Sequence, residues 1–210
     1  VSYPVYDSLI PDDFENDLWL QYDFKNLNVG ETAVIYPRRV PEISSNTTSN
    51  DVVRPNFNFD IVEGDSIKLG TMGSTEQTVV TAVKPGTSVV MVTYDELSYG
   101  ESVYGKTSVV NTAYAVFSVG CDGEVQISTD IPYSSYDTVY FASGDNVIMP
   151  FAVTATGAES VLVTCNGKPI NPENGKYNAP LENRSNIIGI TATDNDGKKS
   201  CLYKVVDARK

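Results

Sequence analysis

Two groups of side chains in this sequence carry the means to meet a ligand. Arg38, Arg39 and Arg54 lie in RRVPEISSNTTSNDVVRP at 38–55, so three of the five arginines of the chain flank a Ser/Thr/Asn-rich stretch. Against a formal net charge of −12 they make a local positive spot, where planar guanidinium groups would grip an anion or an acidic partner. The plainer reading is a surface loop whose arginines pair with nearby carboxylates. Tyr99 and Tyr104 each precede a glycine in DELSYGESVYGKTSVVN at 95–111. That segment is longer than most strand connections, and an exposed tyrosine offers a partner both a stacking face and a hydroxyl. Packing of the loop onto its own domain is the competing explanation. Tyr133, Tyr136 and Tyr140 form a third cluster, readable as a sugar-stacking platform or as packing between domains. With 13 tyrosines in the chain, no single cluster weighs much.

Catalysis finds little to work with. The chain has no histidine, which removes the commonest general base, the Ser-His and Cys-His nucleophile pairs and the commonest metal ligand. A glycosidase-type pair of carboxylates stays formally open, but no catalytic residue, metal ligand or cofactor is assigned. Asp194-Asn195-Asp196-Gly197 has the opening of a calcium loop, yet Val205 stands at the twelfth position, where such a loop needs a bidentate acid. A hairpin turn is expected there; calcium between domains, held by acids such as Asp122 and Glu124, is the alternative. Cys121, Cys165 and Cys201 leave at least one thiol unpaired within the chain. Strand alternation puts Cys165 in step with Val161 and Val163, and Cys201 in step with Tyr203 and Val205. Both are expected as small buried hydrophobes, with a Cys165–Cys201 bridge as the alternative. The sequons Asn46-Thr47-Thr48 and Asn183-Arg184-Ser185 mark surface loops.

The elements that must carry these residues read as strands. Apolar content is 41%, and the bias towards Val, Thr, Tyr, Ser and Asn suits pleated sheets and turns. No stretch sustains a helical period. FNFDIV at 57–62 alternates strictly, with Phe57, Phe59 and Ile61 on one face. Trp19–Phe24 and Leu27–Pro37 are further strands, with Trp19 a core plug rather than an exposed platform. VIMPFAVTA at 147–155 is a long strand whose Pro150, lacking a ladder donor, marks an edge or a bulge. Asn166-Gly167 is a type I′ turn signal and Asn174-Gly175 a second. Ile187–Thr193 and Ser200–Val206 form the last hairpin. The best organised stretch is TVVTAVKPGTSVVMVTY at 78–94. Its turn at Lys84-Pro85-Gly86-Thr87 is expected to fold the first run back on the second as a core hairpin. Gly120-Cys121-Asp122-Gly123 is the strongest break, dividing the chain into domains at 1–120 and 121–210, both ordinary sizes for a sandwich. Short strands separated by Gly, Asn and Asp turns imply an all-β chain of two sandwich domains.

LNVGETAVI at 27–35, followed by VVTAVKPGTSVVMVTY at 79–94, resembles the group 2 bacterial immunoglobulin-like domain of intimin/invasin-type adhesins and cell-wall proteins. CNGKPINPENGKYNAPLENRSNIIGITATDNDGKKSCLYKVV at 165–206 is similar to a second bacterial immunoglobulin-like pattern. Asn166-Gly167, Gly175-Lys176-Tyr177, Asn186, Ala192-Thr193-Asp194 and Gly197 stand at that pattern's places. Together the likenesses cover about half of the chain, and the first departs from its family in the long segments at 38–55 and 95–111. The resemblance implies two tandem immunoglobulin-like β-sandwich domains in an extracellular, cell-surface or cell-wall protein of a Gram-positive bacterium. It also implies a non-catalytic role, in adhesion or as a spacer that presents another domain, with a host or cell-wall protein or glycan as partner. Such sandwiches serve many ends, so a carbohydrate-binding module remains as an alternative, as does an accessory domain of a secreted enzyme whose catalytic part lies elsewhere. Acidity argues against nucleic acid and anionic membrane surfaces as partners, no stretch reads as a membrane span, and a monomer is expected. Starting at Val1, the chain reads as a fragment of a longer protein. A site, if the chain carries one, is expected on the first domain's long loops, at Arg38, Arg39, Arg54, Tyr99 and Tyr104.

Overall fold

Alternating Val, Ile, Thr and Phe bury one side of a strand and wet the other, which commits the chain to sheets packed face to face. The structure, a computed structural model, describes residues 18–39, 57–71, 77–95, 110–131, 138–140, 147–182 and 184–209. Every regular element among them is a strand. In the N-terminal unit, β1 (Leu18–Trp19) pairs with β4 (Arg38–Arg39). β3 (Thr32–Ile35), β7 (Thr78–Ala82) and β6 (Ile67–Thr71) form one sheet, in the order β3-β7-β6. β2 (Phe24–Leu27), β9 (Val110–Val119), β8 (Gly86–Asp95) and β5 (Phe57–Glu63) form the other, in the order β2-β9-β8-β5. Within it β2 and β9 run parallel, from Phe24 opposite Val116 to Leu27 opposite Val119. The sheets close on Ile35, Val80, Val90, Val92, Ala115 and Phe117, all fully buried.

The C-terminal unit repeats the plan. β12 (Val147–Phe151) and β13 (Val153–Thr156) are one run broken at Ala152. β12 pairs with β16 (Tyr177–Leu181), while β13 pairs with β10 (Gln126–Thr129). The larger sheet comprises β11 (Thr138–Tyr140), β18 (Lys199–Arg209), β17 (Arg184–Thr193), β14 (Ser160–Cys165) and β15 (Lys168–Ile170), in the order β11-β18-β17-β14-β15. Again an early strand, β11, runs parallel to the last one, β18. Phe151, Val163, Ala179, Ile188, Ile190 and Val206 fill the core. In each unit the last strand pairs with the one before it, that one pairs with an early strand, and a second sheet covers their buried face. That is the immunoglobulin strand plan. The chain is all-β, two immunoglobulin-like β-sandwiches in tandem, and no strand pairing among the described residues crosses Gly120.

The stretch at 78–94 corrects the sequence reading. β7 and β8 are not hydrogen-bonded to each other: β7 lies between β3 and β6, and β8 between β5 and β9. The turn carries the chain from one sheet to the other. Pro85 has no N–H to give, and the N–H groups of Val83 and Lys84 both donate to the Ser66 carbonyl, at 2.8 and 3.3 Å. Gly86 takes a φ of 141° that favours glycine. Val80 and Ala82 therefore face Val90 and Val92 across the core instead of pairing beside them.

Other turns fall where expected. Asn166 and Gly167 both have positive φ, 50° and 75°, and join Cys165 to its partner Lys168. Asn174 and Gly175 do the same within the Glu173–Lys176 bridge, and β17 and β18 form the last hairpin. Pro150 lies opposite Asn178 in a stretch paired with β16 alone, so its missing N–H costs no ladder bond. The break follows at Ala152, whose N–H donates to Asp130 Oδ1 and whose carbonyl accepts from Thr129 Oγ1. The strand expected over Trp19–Phe24 is two short pieces. Between them the Gln21 amide bonds the backbone of Val34 and Tyr36, as a neighbouring strand would. The expected strand at Leu27–Pro37 also divides: β2 ends at Leu27, and Glu31 braces the turn by accepting from the Asn28 backbone and side chain, at 2.7 and 3.2 Å. Those bonds hold the Glu31 carboxyl below its ordinary range.

Candidate functional site

Strands with two apolar faces place the most constructed feature among the described residues. On β18, Leu202, Val206 and Ala208 point into the second unit's own core. The alternate residues Tyr203 and Val205 point the other way, into a separate cluster with Ile187 of β17 and with Phe24, Val89, Tyr114 and Val116 of the first unit. On β9 the division is the same: Ala113, Ala115, Phe117 and Val119 serve the first core, and Tyr114 and Val116 serve the joint. Val116 is fully buried and Val89 and Val205 nearly so. Phe24 and Tyr203 meet at 5.4 Å between ring centroids. Burying both faces of a strand is what fixes two sandwiches to one another.

Polar groups finish the joint. Asp23 Oδ2 accepts the N–H of Val205 at 3.1 Å, and the Asp23 carbonyl accepts the N–H of Val116 at 2.7 Å. One residue thus holds a strand of each unit. Thr87 Oγ1 lies 3.2 Å from the Tyr203 hydroxyl, and Asn26 Nδ2 donates to the Cys121 carbonyl. Gly123 N–H donates to the Lys199 carbonyl at 2.8 Å. A Cβ on Gly123 would stand 2.8 Å from the Lys199 carbonyl carbon, so only glycine lets the connecting segment lie this close to β18.

That approach delivers a disulfide between Cys121 and Cys201, with Cα atoms 5.8 Å apart and a sequence separation of 80. Here the sequence reading is overturned: Cys201 is neither a lone buried hydrophobe nor a partner of Cys165. The odd-numbered residues of β18 lie on the outer face, turned towards the connecting segment and the first unit, and Cys201 goes with them. Cys165 is the free, buried thiol. It donates weakly to the Pro180 carbonyl, and burial together with nearby Glu182 pushes its pKa up, which keeps it unreactive. Val161, expected in step with it, is exposed together with Leu162, because β15 reaches only Val163–Cys165 and leaves the start of β14 as an edge.

The ligand residues expected from the sequence are not brought together by what is described. Arg38 and Arg39 form β4, paired with β1, and their side chains lie outside the described residues, as does that of Trp19. Arg54, Tyr99, Tyr104, Tyr133 and Tyr136 lie wholly outside them, and Tyr140 is described only as backbone, in β11. Asp194-Asn195-Asp196-Gly197 is the hairpin turn expected: Asp194 Oδ1 accepts the N–H groups of Asp196 and Lys198, both at 2.9 Å, so its own backbone occupies that oxygen. Among the described residues no three His, Cys, Asp or Glu side chains cluster as a metal site. A cleft lined by Leu18, Leu20, Tyr114, Ser185, Val205 and Asp207 opens where the units meet and encloses about 20 Å³, room for one water and not for an organic ligand.

No protein-family model matches the chain, and no curated protein is significantly similar to it. Solved structures similar to it include the fibronectin(III)-like modules of Clostridium thermocellum CbhA, at 14% identity and a TM-score of 0.31, covering 91% of this chain and 94% of that one. The insect immune protein hemolin is similar at 15% identity and a TM-score of 0.30, over 94% of this chain and 48% of its own. A titin pair, A168–A169, follows at 10% and 0.28, over 92% of this chain and 99% of that one. The immunoglobulin assignment rests on the strand order above.

Proposed function

We propose that this chain is a non-catalytic extracellular module of a bacterial cell-surface protein, and that it acts as a stiff spacer holding its neighbours and its own loops at a fixed distance and orientation. The observation that carries this reading is the joint. Two sandwiches linked by a flexible segment would not need Asp23 shared between β9 and β18, a common apolar cluster and a disulfide from the connecting segment to the last strand. Each of these removes freedom between the units, and stiffness is what a spacer supplies. The disulfide also suits an oxidising compartment, which supports a place outside the cytoplasm. The bacterial assignment, with its group 2 immunoglobulin-like affinity, rests on the LNVGETAVI and VKPGTSVVMV likeness. Arg38, Arg39, Arg54, Tyr99 and Tyr104 are proposed as the contacts of any protein or glycan partner the module presents.

Replacement in the parent surface protein tests the spacer role. An unrelated rigid pair of sandwiches of the same length should restore adhesion or display, and a Gly/Ser linker of equal residue number should not. If only the native segment works, its surface binds something, and titration of the purified chain with glycans, followed by tyrosine and tryptophan fluorescence, then separates a carbohydrate-binding module from a protein-binding one. If the flexible linker works as well as the rigid pair, the spacer reading fails.

A further inference from the structure

The disulfide does more than stiffen the joint. We propose that it is a covalent bypass for tension: pulling on the two ends of the chain loads the first sandwich and passes around the second. The path follows from connectivity. Tension entering through β2 and β9 reaches Val119, Gly120 and Cys121, crosses the sulfur bridge to Cys201, and leaves along β18. Everything between residues 121 and 201 hangs from that path as a closed loop and carries none of the load.

Two further observations make the bypass effective. Cys201 lies near the start of β18, so the loaded part of the second unit is only Cys201–Arg209, a single strand paired to Arg184–Thr191 of β17 and, over Asp207–Arg209, to β11, neither of which the tension enters. A strand already rises about 3.3 Å per residue, close to full extension, so tension along it finds almost no slack and acts along the strand instead of across the sheet. The first unit has no such protection. β2 and β9 run parallel and are pulled from opposite ends, so the four register pairs from Phe24–Val116 to Leu27–Val119 are loaded together in shear. Under rising load the first sandwich yields, and the second stays folded with its surface intact. The inference deepens the spacer reading and rests on it for its biological purpose: the second unit is the one kept presentable under strain. The covalent path itself stands on the disulfide alone.

Single-molecule stretching of the full chain between marker domains tests it. Opening the loop frees 80 residues, worth about 26–29 nm of contour length at roughly 3.3–3.6 Å each. The oxidised chain should show one long release, from the first unit, and no second release of that size. Adding a dithiol reductant, which takes up the bridge and leaves as its own cyclic disulfide, should make the second release appear. The Cys121→Ser/Cys201→Ser double variant should show it without reductant; the reductant arm on already folded protein covers the case in which that variant folds poorly. A release of about 26–29 nm from the second unit of molecules with one titratable thiol each would overturn the bypass. So would its absence after reduction of a chain whose circular dichroism shows both units folded. Module replacement reads the spacer role separately, so either idea can fail without the other.

Discussion

Asn186 is the residue on which the second sandwich depends most locally. It is fully buried, and its amide is completely used. Oδ1 accepts from Glu182 N–H at 2.8 Å and Asn166 Nδ2 at 3.0 Å, and Nδ2 donates to the carbonyls of Glu182 at 2.9 Å and Val206 at 3.3 Å. The amide ties β17 to β18, to the segment after β16 and to the β14–β15 turn. Asn186→Ala would strand buried groups at each point and should cost about 2–4 kcal/mol in denaturant unfolding; a loss below about 1 kcal/mol would contradict this account. Tyr22 gives a residue-scale pH effect. Its hydroxyl donates to the Val34 carbonyl at 2.7 Å, its ring meets Phe117 edge-on at 6.0 Å, and burial pushes its pKa from 10.0 up to about 12. The folded state favours the neutral phenol, so this stabilisation is complete below about pH 10 and is lost as pH rises through about 12. The unfolding midpoint should fall more steeply across that window in the native chain than in Tyr22→Phe. Parallel curves would refute the assignment.

At the scale of elements, the crossings between sheets are where the sequence is tightest. Gly64, between β5 and β6, has a φ of 77°, and a Cβ there would stand 2.0 Å from the Thr87 carbonyl oxygen and 2.9 Å from Ser88 Cα. Gly30 has a similar φ of 89° with open space around it. Gly64→Ala should therefore cost roughly 2–4 kcal/mol, and Gly30→Ala about 1–2, since only the first adds a backbone collision to the left-handed strain. Equal losses in urea titrations would show that the collision is relieved without cost. The Asn-Gly turns were readable in the sequence because a turn imposes its chemistry on the residues that make it. Pairing was not readable in the same way. Alternation in TVVTAVKPGTSVVMVTY reports which side of each run is buried, and β7 facing β8 across a core buries the same side as β7 bonded to β8 would. Cys201 was misplaced for a related reason. Residues 201–206, CLYKVV, are apolar at both parities save Lys204, and a reading that assumes one buried face must choose one; β18 has two. The arginine and tyrosine stretches at 38–55 and 95–111 could be named from composition alone, since nothing in their sequence says what they pack against.

For the whole molecule, the consequence of a shared cluster is that, without a load to single out the first unit, the two should melt together on heating. Val205 and Tyr203 belong to the last strand of the second sandwich, but Val205 is buried, and Tyr203 partly buried, against the first. Val116 is buried on the outer face of β9, where an isolated sandwich would leave it to water. Losing either unit exposes apolar surface on the other, and the 80-residue closure adds a chain-entropy term of about 4–5 kcal/mol to the second unit. Asp23 is the residue through which this coupling can be cut without touching either core, because its carboxylate serves the other unit's Val205 N–H while its carbonyl serves Val116 in its own. Asp23→Ala removes only the first of these and leaves one N–H of β18 without its acceptor, a local loss of about 1–3 kcal/mol. Calorimetry of the oxidised chain should show one transition in the native protein and a separation into two in Asp23→Ala, with the first sandwich melting at the lower temperature. Residual dipolar couplings should fit one alignment tensor for both units before the change and two after it. Two transitions already resolved in the native chain would mean that the joint orients the sandwiches without coupling their stability.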